Sequence, residues 1–391
     1  MDILVSYCEE WETPLRTSKH HFIEGLAREG NRVLYIETPV SLFHLILSPK
    51  NFFNRIRNKV FFRPVQVENN VWTLSLITPI PFFKGFGPLF DSELMNHAQQ
   101  LFSYLFIKRS LKKLDFGEFH MITYLPLIYP LLSRLQPIRN LYHIVDEWRG
   151  LANLPITVSK LIIKYFKYSD ITVVTSQSLY DRYKPFSKEI RLLRHGTDIK
   201  LFNKVFASEV QVAEELIELS GKKLGYYGAL HKLDYELIFE VSSELRDLNF
   251  IFIGPTSGPQ GLKKQLKLPL NCYVWDSWNR DKLPSFLAGL DVFWMPFLDN
   301  ELTQFMSPIK IYEVMSAGLP IVSTNLQETR LVGGNLNKYA NNNEEHIKFI
   351  NEFIHSPSYE LSKKRVEYTK NFDWSQRREI FFNYLVGEKT N

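Results

Sequence analysis

Short apolar runs alternate with stretches of helical spacing from the first residues of the chain. Ile3 to Tyr7 is an apolar run of strand length. Ser18 to Glu29 carries Phe22, Leu26 and Ala27 at helical spacing, and Gly30 stands where a helix C-cap belongs. Arg32 to Ile36 returns to strand character. The same alternation predicts strands at 119–124, 140–145 and 171–175, then at 222–228, 249–253, 271–275, 291–295 and 319–323, with helices between them. Strands and helices alternating at this spacing make parallel sheets with crossover helices. At 391 residues the chain exceeds one ordinary core. The predicted fold class is therefore α/β, with two doubly wound halves. A polar, acidic, helix-like stretch from Ser208 to Leu219 places the join near residues 203–221.

Composition narrows the class. Hydrophobic residues at 45% and charged residues at 23% are a normal soluble balance. Aromatics are high at 14%; they fill the core or include rings exposed to lipid or sugar. Cys8 and Cys272 stand far apart, with neither a disulfide framework nor metal-ligand spacing. A reducing, cytoplasmic compartment fits that usage. The start MDILVSYCEEW has acids at once and lacks the basic, apolar pattern of a signal peptide. No uncharged apolar run reaches the roughly 18 to 20 residues of a spanning helix. The expectation is a soluble or peripheral protein with no nucleic-acid partner.

Charge is unevenly placed: +8 over residues 1–200 and −3 over 201–391. Much of the basic excess concerns 42–63, which holds Lys50, Arg55, Arg57, Lys59 and Arg63, many apolar residues and no acid. Basic and apolar together suit an interface with anionic lipid. A helix packed on the core with a solvated basic face has the same composition, and Pro49 breaks any single helix.

The stretch from Ser307 to Ser323 carries the most chemistry. Ser307 is placed as an N-cap and Pro308 as the first helical residue. Gly318 ends the helix and Pro320 opens a β-branched strand. A helix start offers free N–H groups and a positive dipole end to an anion such as a diphosphate. Lys310 adds a cation there. Glu313, three residues on, shares its face and could accept both hydroxyls of a ribose. The plain alternative is a surface ion pair between the two.

This stretch resembles the donor-site signature of the group 1 (family 4) glycosyltransferases with the GT-B fold. Four other segments resemble that family. They are His195-Gly196-Thr197-Asp198 followed by Phe202, Leu224 to Leu230 with its Gly228 turn, Leu283 to Val292 followed by Pro296, and Phe372-Asp373-Trp374-Ser375. The likeness covers residues 195–380 well and the first half in pattern only. It implies a GT-B fold of two Rossmann-like doubly wound domains facing a cleft, with a C-terminal helix crossing back. The implied domains are 1–203 plus the terminal helix 374–391 for the acceptor, and 204–373 for the nucleotide sugar. Gly228, Ser307, Pro308, Lys310 and Glu313 are the implied donor-binding residues. Two positions depart from the family: Phe305 stands where a first glutamate is usual, and Ala229 where a phosphate-binding arginine is usual. His231 or Lys232 would then supply the missing cation. The chain looks nearer to enzymes that build bacterial surface polysaccharides on lipid carriers, teichuronic acid enzymes among them.

Sugar transfer also needs help for the acceptor hydroxyl. Asp146 follows the apolar strand 141–145, at the end where α/β sheets hold ligands. It is the candidate base, with Glu147 as competitor and Trp148 able to stack on a sugar. Capping or pairing with Arg149 is the structural alternative for Asp146. His20 and His21 lie near the first strand-to-helix loop, and His21 is taken as the second catalytic candidate. Trp275 or Trp278 could stack on a nucleobase or simply fill the core. No Asp-x-Asp, His/Cys cluster, Gly-x-Gly-x-x-Gly or Walker pattern occurs, so no metal and no further cofactor is expected. The predicted activity is transfer from a nucleotide diphosphate sugar, UDP-linked by preference, to a saccharide or lipid-linked saccharide of an envelope polymer. It would act at the inner face of the cell membrane, touched through 42–63. The rivals are a nucleotide-sugar epimerase of the same fold and a saccharide-binding protein that has lost catalysis.

Overall fold

The apolar runs form strands covered on both faces, which is why they do not alternate apolar with polar. The computed structural model describes residues 1–391 except 13–16, 48, 58, 80–88, 148–155, 257–266 and 389–391. Trp148 and Arg149 lie outside the described residues. The chain divides into two units, Met1–Arg194 with Arg377–Asn391, and His195–Gln376.

In the first unit the strands are β1 (Asp2–Cys8), β2 (Arg32–Glu37), β3 (Val40–Ser41), β4 (Val65–Glu68) and β5 (Val71–Leu74). They continue with β6 (Ile77–Thr78), β7 (Phe119–Thr123), β8 (Asn140–Ile144), β9 (Ile171–Val174) and β10 (Ile190–Leu192). The main sheet runs β10-β9-β8-β7-β1-β2-β5-β4, and β3 pairs with β6 apart from it. Among the described strand pairs of this unit only the edge pair β4–β5 is antiparallel. Its turn places Asn70 at φ +62°, a conformation Asn tolerates. That hairpin is not evident in the apolar pattern. Tyr7 has φ +47° where the register of β1 against β2 shifts, and its hydroxyl donates to Gln100 Oε1 at 2.5 Å. This bulge re-aims the end of β1.

The last turns of the chain complete this unit. In the helix Trp374–Val386, Phe381 stacks on Phe22 at 4.5 Å and lies 5.0 Å from His143. Arg378 lies flat on Gly25, where a Cβ would come within 1.7 Å of its Cδ.

The second unit contains β11 (Lys223–Tyr227), β12 (Asn249–Ile253), β13 (Cys272–Trp275), β14 (Val292–Met295), β15 (Ile321–Thr324) and β16 (Lys338–Ala340). All pair in parallel, in the order β13-β12-β11-β14-β15-β16. Counted within the unit this is 3-2-1-4-5-6, the Rossmann order.

The join differs from the sequence expectation. The helix there is Ile199–Phe206, capped by Asp198, whose carboxylate accepts from the Leu201 N–H at 3.1 Å. Of the acidic stretch, only Glu214–Ile217 is helical among the described residues. Leu201, Phe202 and Val205 give the upstream helix an apolar stripe on the core, and the acidic stretch meets the core through Val212, Ala213, Leu216 and Leu219. Two of the motif segments also meet. The Thr197 N–H donates to the Phe372 carbonyl at 2.8 Å, the Trp374 N–H returns to the Thr197 carbonyl at 3.2 Å, and Gly196 faces the Trp374 ring.

Behind β14, buried Trp294 donates its Nε1–H to His346 Nδ1 at 3.1 Å. Burial pushes the imidazole down to about 4 against a weaker pull from Glu345. The unfolded chain takes up this proton near pH 6.5, and the fold resists it until about pH 4. Stability from this group is therefore full above pH 6.5 and falls as pH drops toward 4, by about 2 to 3 kcal/mol at pH 4.5. In urea unfolding, His346→Gln should reduce the loss between pH 7 and 4.5 by that amount. Equal losses in variant and wild type would contradict the assignment.

Candidate functional site

In a sheet ordered 3-2-1-4-5-6, the crossovers from the first and fourth strands leave to opposite faces. The crevice so opened lies beyond the carboxyl ends of those strands. Here they are β11 and β14, and the residues following them are Gly228 and Pro296. The helix Lys310–Ser316 and the turn before it are packed at the same end.

Glu313 is only 7% exposed. Its Oε2 accepts from the Tyr227 hydroxyl at 2.7 Å, and Oε1 lies 3.9 Å from Arg280 Nη2. Burial, followed by the Glu313 charge, pushes the Tyr227 phenol well above its ordinary range, so it remains a donor. Lys310 packs on the other side of the turn. Its Nζ stands 5.9 Å above the Tyr226 ring and 5.8 Å above the Tyr227 ring. Burial pushes its ammonium down to about 8, with Glu313 opposing and Lys232 assisting. The surface ion pair weighed from the sequence does not form; Glu313 is held by Tyr227 instead.

Gly228 has φ +136°, and a Cβ there would lie 2.2 Å from Lys310 Cε. The Gly228 carbonyl in turn would be 2.0 Å from a Cβ on Gly254. The glycines let the turn close onto the lysine.

The start of the 310–316 helix departs from expectation. The Ile311 N–H donates to the Pro308 carbonyl at 3.3 Å and the Tyr312 N–H to Ile309 at 3.0 Å, so a tight turn precedes the α-helix. Ser307 therefore does not cap it. Its Oγ is buried with no hydrogen-bond partner among the described residues. His231 and Lys232 form the short helical turn after Gly228, and Lys232 Nζ approaches Met306 Sδ at 3.4 Å. Trp275 and Trp278 stack at 5.7 Å with planes 3° apart, and Trp278 also meets Phe286 of the core.

The first unit carries a second group at the carboxyl ends of its strands. Glu9, just past β1, holds Lys19 Nζ and the Thr17 hydroxyl, each at 2.5 Å. Burial opposes both charges, yet the pairing prevails: the Glu9 carboxyl is lowered and the Lys19 ammonium raised. Asp146, half-buried beyond β8, adds to the field on Lys19. Glu147, the competing acid, is buried and committed to Arg182 at 2.8 Å and the Tyr183 hydroxyl at 2.9 Å. His20 is buried, and its Nδ1 accepts from the Thr17 N–H at 3.2 Å. His21 is half-buried on the same helix.

Thus Gly228, Lys232, Ser307, Pro308, Lys310 and Glu313 gather at the switch point of the second sheet, while His21 and Asp146 belong to the first unit. Sequence reading missed Tyr227, Arg280, Glu9 and Lys19. The Tyr227 signal was present, as a tyrosine directly before the glycine turn. The approach of Arg280 to Glu313 had no local signature.

Residues 221–354 match the family described as "Glycosyl transferases group 1". The matched span lies within the second unit. TuaH of Bacillus subtilis (strain 168), assigned to teichuronic acid biosynthesis as a glycosyltransferase, is 27% identical over 217 residues. That match takes in 51% of this chain and 54% of TuaH, so it spans about half the length of the curated relative. Whole-chain likeness comes from solved structures. "Trehalose-6-phosphate from E. coli bound with UDP-2-fluoro glucose" has a TM-score of 0.69 at 11% identity, covering 98% of this chain and 99% of that one. Anabaena Alr3699/HepE in complex with UDP and glucose has a TM-score of 0.65 at 12% identity, with 98% and 99% covered. The chain has the GT-B fold of these proteins.

In the second unit, Gly228→Ala would set a methyl against Lys310 in a backbone conformation that side chains rarely adopt. Chemical denaturation should show a loss of about 1 to 3 kcal/mol. An unchanged midpoint would mean that the turn is not fixed by the lysine.

Proposed function

We propose that the protein transfers a sugar from a nucleotide diphosphate donor, UDP-linked by preference, to a saccharide or lipid-linked saccharide in the synthesis of a cell-envelope polymer. The observation that carries this reading is Glu313: a carboxylate buried at the switch point, oriented by Tyr227, beside Lys310 and the unpartnered Ser307 Oγ, inside the segment that matches the family. The solved relatives that hold UDP or UDP-sugars, and the assignment of TuaH to teichuronic acid, support the donor and the product class.

The roles follow from chemistry. Glu313 accepts the two ribose hydroxyls. Lys310 and the turn at Ser307-Pro308 meet the diphosphate, with Gly228 giving access and His231 or Lys232 adding charge where the chain has Ala229. As the bond to the sugar breaks, negative charge grows on the leaving diphosphate, and Lys310 stabilises it there. Asp146 takes the acceptor proton in the first unit, because Glu147 is already spent on Arg182 and Tyr183; His21 lies on the first helix of that unit. The first unit serves the acceptor and the second the donor. Among the described residues no three His, Cys, Asp or Glu side chains are grouped to hold a metal ion. In this reading Lys310 supplies the cation at the diphosphate.

Titration calorimetry with UDP tests the donor half. Glu313→Ala should weaken binding by about 2 kcal/mol, roughly 30-fold in Kd. Unchanged affinity would sink the reading. UDP binding without any sugar transfer would mark a binding protein. Because Lys310 must be protonated to hold phosphate, UDP affinity should fall as pH rises above about 8, and Lys310→Met should flatten that dependence.

The same proposal includes peripheral contact at the cytoplasmic membrane face. Pro49 opens a second helix, giving His44–Leu47 and Pro49–Ile56. Ile46 is 78% and Phe53 56% exposed, near exposed Leu42, Phe43 and Leu45. The basic residues divide. Arg55 pairs with Glu10 at 2.8 Å and Lys59 with Glu37 at 2.6 Å, leaving Lys50, Arg57 and Arg63 exposed to meet anionic lipid. Among the described residues no helix is long and apolar enough to cross a membrane. Vesicles containing phosphatidylglycerol should co-sediment the protein, and the double variant Ile46→Ser/Phe53→Ser should remain in the supernatant. Equal sedimentation of the two would remove the membrane half of the proposal.

A further inference from the structure

A cavity of about 700 Å³ lies within the second unit, lined by Ala317, Gly318 and Leu319 at the far end of the helix that begins with Lys310. Seven residues of helix rise about 10 Å, so the cavity is distinct from the crevice. Its volume falls in the roughly 300 to 1,000 Å³ range of small-molecule sites. The walls are largely apolar, including Phe206, Leu290, Leu319, Phe353 and Tyr359. Phe206 and Tyr359 stack 5.6 Å apart with planes 15° from parallel.

Among the polar lining groups, Arg365 is a buried cation, 2% exposed. Its Nε–H donates to the Leu336 carbonyl at 2.9 Å and to Asn337 Oδ1 at 3.3 Å, and an Nη1–H to the Gly318 carbonyl at 3.4 Å. These partners are neutral, and they leave guanidinium donors unused. No carboxylate pairs with it among the described residues. The acids on the cavity wall are taken elsewhere, Glu352 by Lys338 at 3.1 Å and Asp291 by Lys222 at 2.8 Å. Burial pushes the guanidinium down to about 10, and its face lies 5.4 Å from the Phe353 ring. Bracing the helix end through Gly318 accounts for one bond but not for the open space beside it.

We infer that this cavity is a second ligand site, for a small organic anion with an apolar body. Its carboxylate or phosphate meets Arg365, and its body lies against Phe206, Leu319 and Phe353. The site is independent of the donor reading.

Calorimetry on the full chain, with UDP present in excess, tests it using phenyl phosphate, benzoate and uncharged benzyl alcohol. At least one anion should bind with a stoichiometry of one, and the alcohol should bind at least tenfold more weakly. The two anions distinguish a phosphate from a carboxylate head. Arg365→Met should weaken binding at least tenfold. Ser362→Trp, which fills the cavity from a half-buried position, should abolish it even if the arginine variant fails to fold. Absence of binding by wild type, indifference to Ser362→Trp, or displacement by UDP would overturn the inference. If UDP itself does not bind, the donor reading fails, and the Ser362→Trp comparison still decides this one.

Discussion

The reversal of strand order at β11 and β14 is the constraint on which the second unit depends. Parallel strands cannot be joined by tight turns, so each connection crosses over a face of the sheet. Where the crossovers part, a crevice opens beyond the ends of the two central strands. The sequence fills that gap in an ordered way. A glycine turn follows β11, a tight turn and short helix stand beside β14, and the side chains between them are a carboxylate, a phenol and an ammonium. The polar groups are costly to bury and persist because each is held.

Held groups explain the electrostatics. The phenol of Tyr227 neutralises no charge, yet it fixes one Glu313 oxygen while Arg280 remains at the edge of ion-pair distance from the other. Lys310 leans on two aromatic faces rather than on an acid. Burial therefore outweighs the pull of Glu313 on its proton. In the first unit the logic is opposite. Glu9 and Lys19 satisfy each other closely.

Much of the fold was legible because parallel strands must be apolar throughout. The predicted runs at 3–7, 32–36, 119–124, 140–145 and 249–253 became strands whose ends differ by no more than a residue or two. The β4–β5 hairpin escaped notice because β4 is only half-buried and the turn is Asn-Asn rather than a glycine pair. The acidic stretch after Ser208 packs Val212, Ala213, Leu216 and Leu219 on the core, yet forms only the single helical turn Glu214–Ile217 among the described residues. At the candidate site, Lys310 and Glu313 could be read from one helix, whereas Tyr227 and Arg280 reach Glu313 from segments distant in sequence. Ser307 could be named but not its geometry, since a tight turn takes the place of the cap.

The helix Trp374–Val386 begins among residues of the second unit and ends among those of the first, where Phe381 covers Phe22 and His143. The first unit is therefore encoded at both ends of the reading order. During synthesis the nascent chain emerges with that aromatic face bare, and it remains bare while the whole second unit is being translated. Early completion of the amino-terminal portion, the usual course for multidomain proteins, is denied to this one. A product released by the ribosome before Arg377 would carry a permanent adhesive surface.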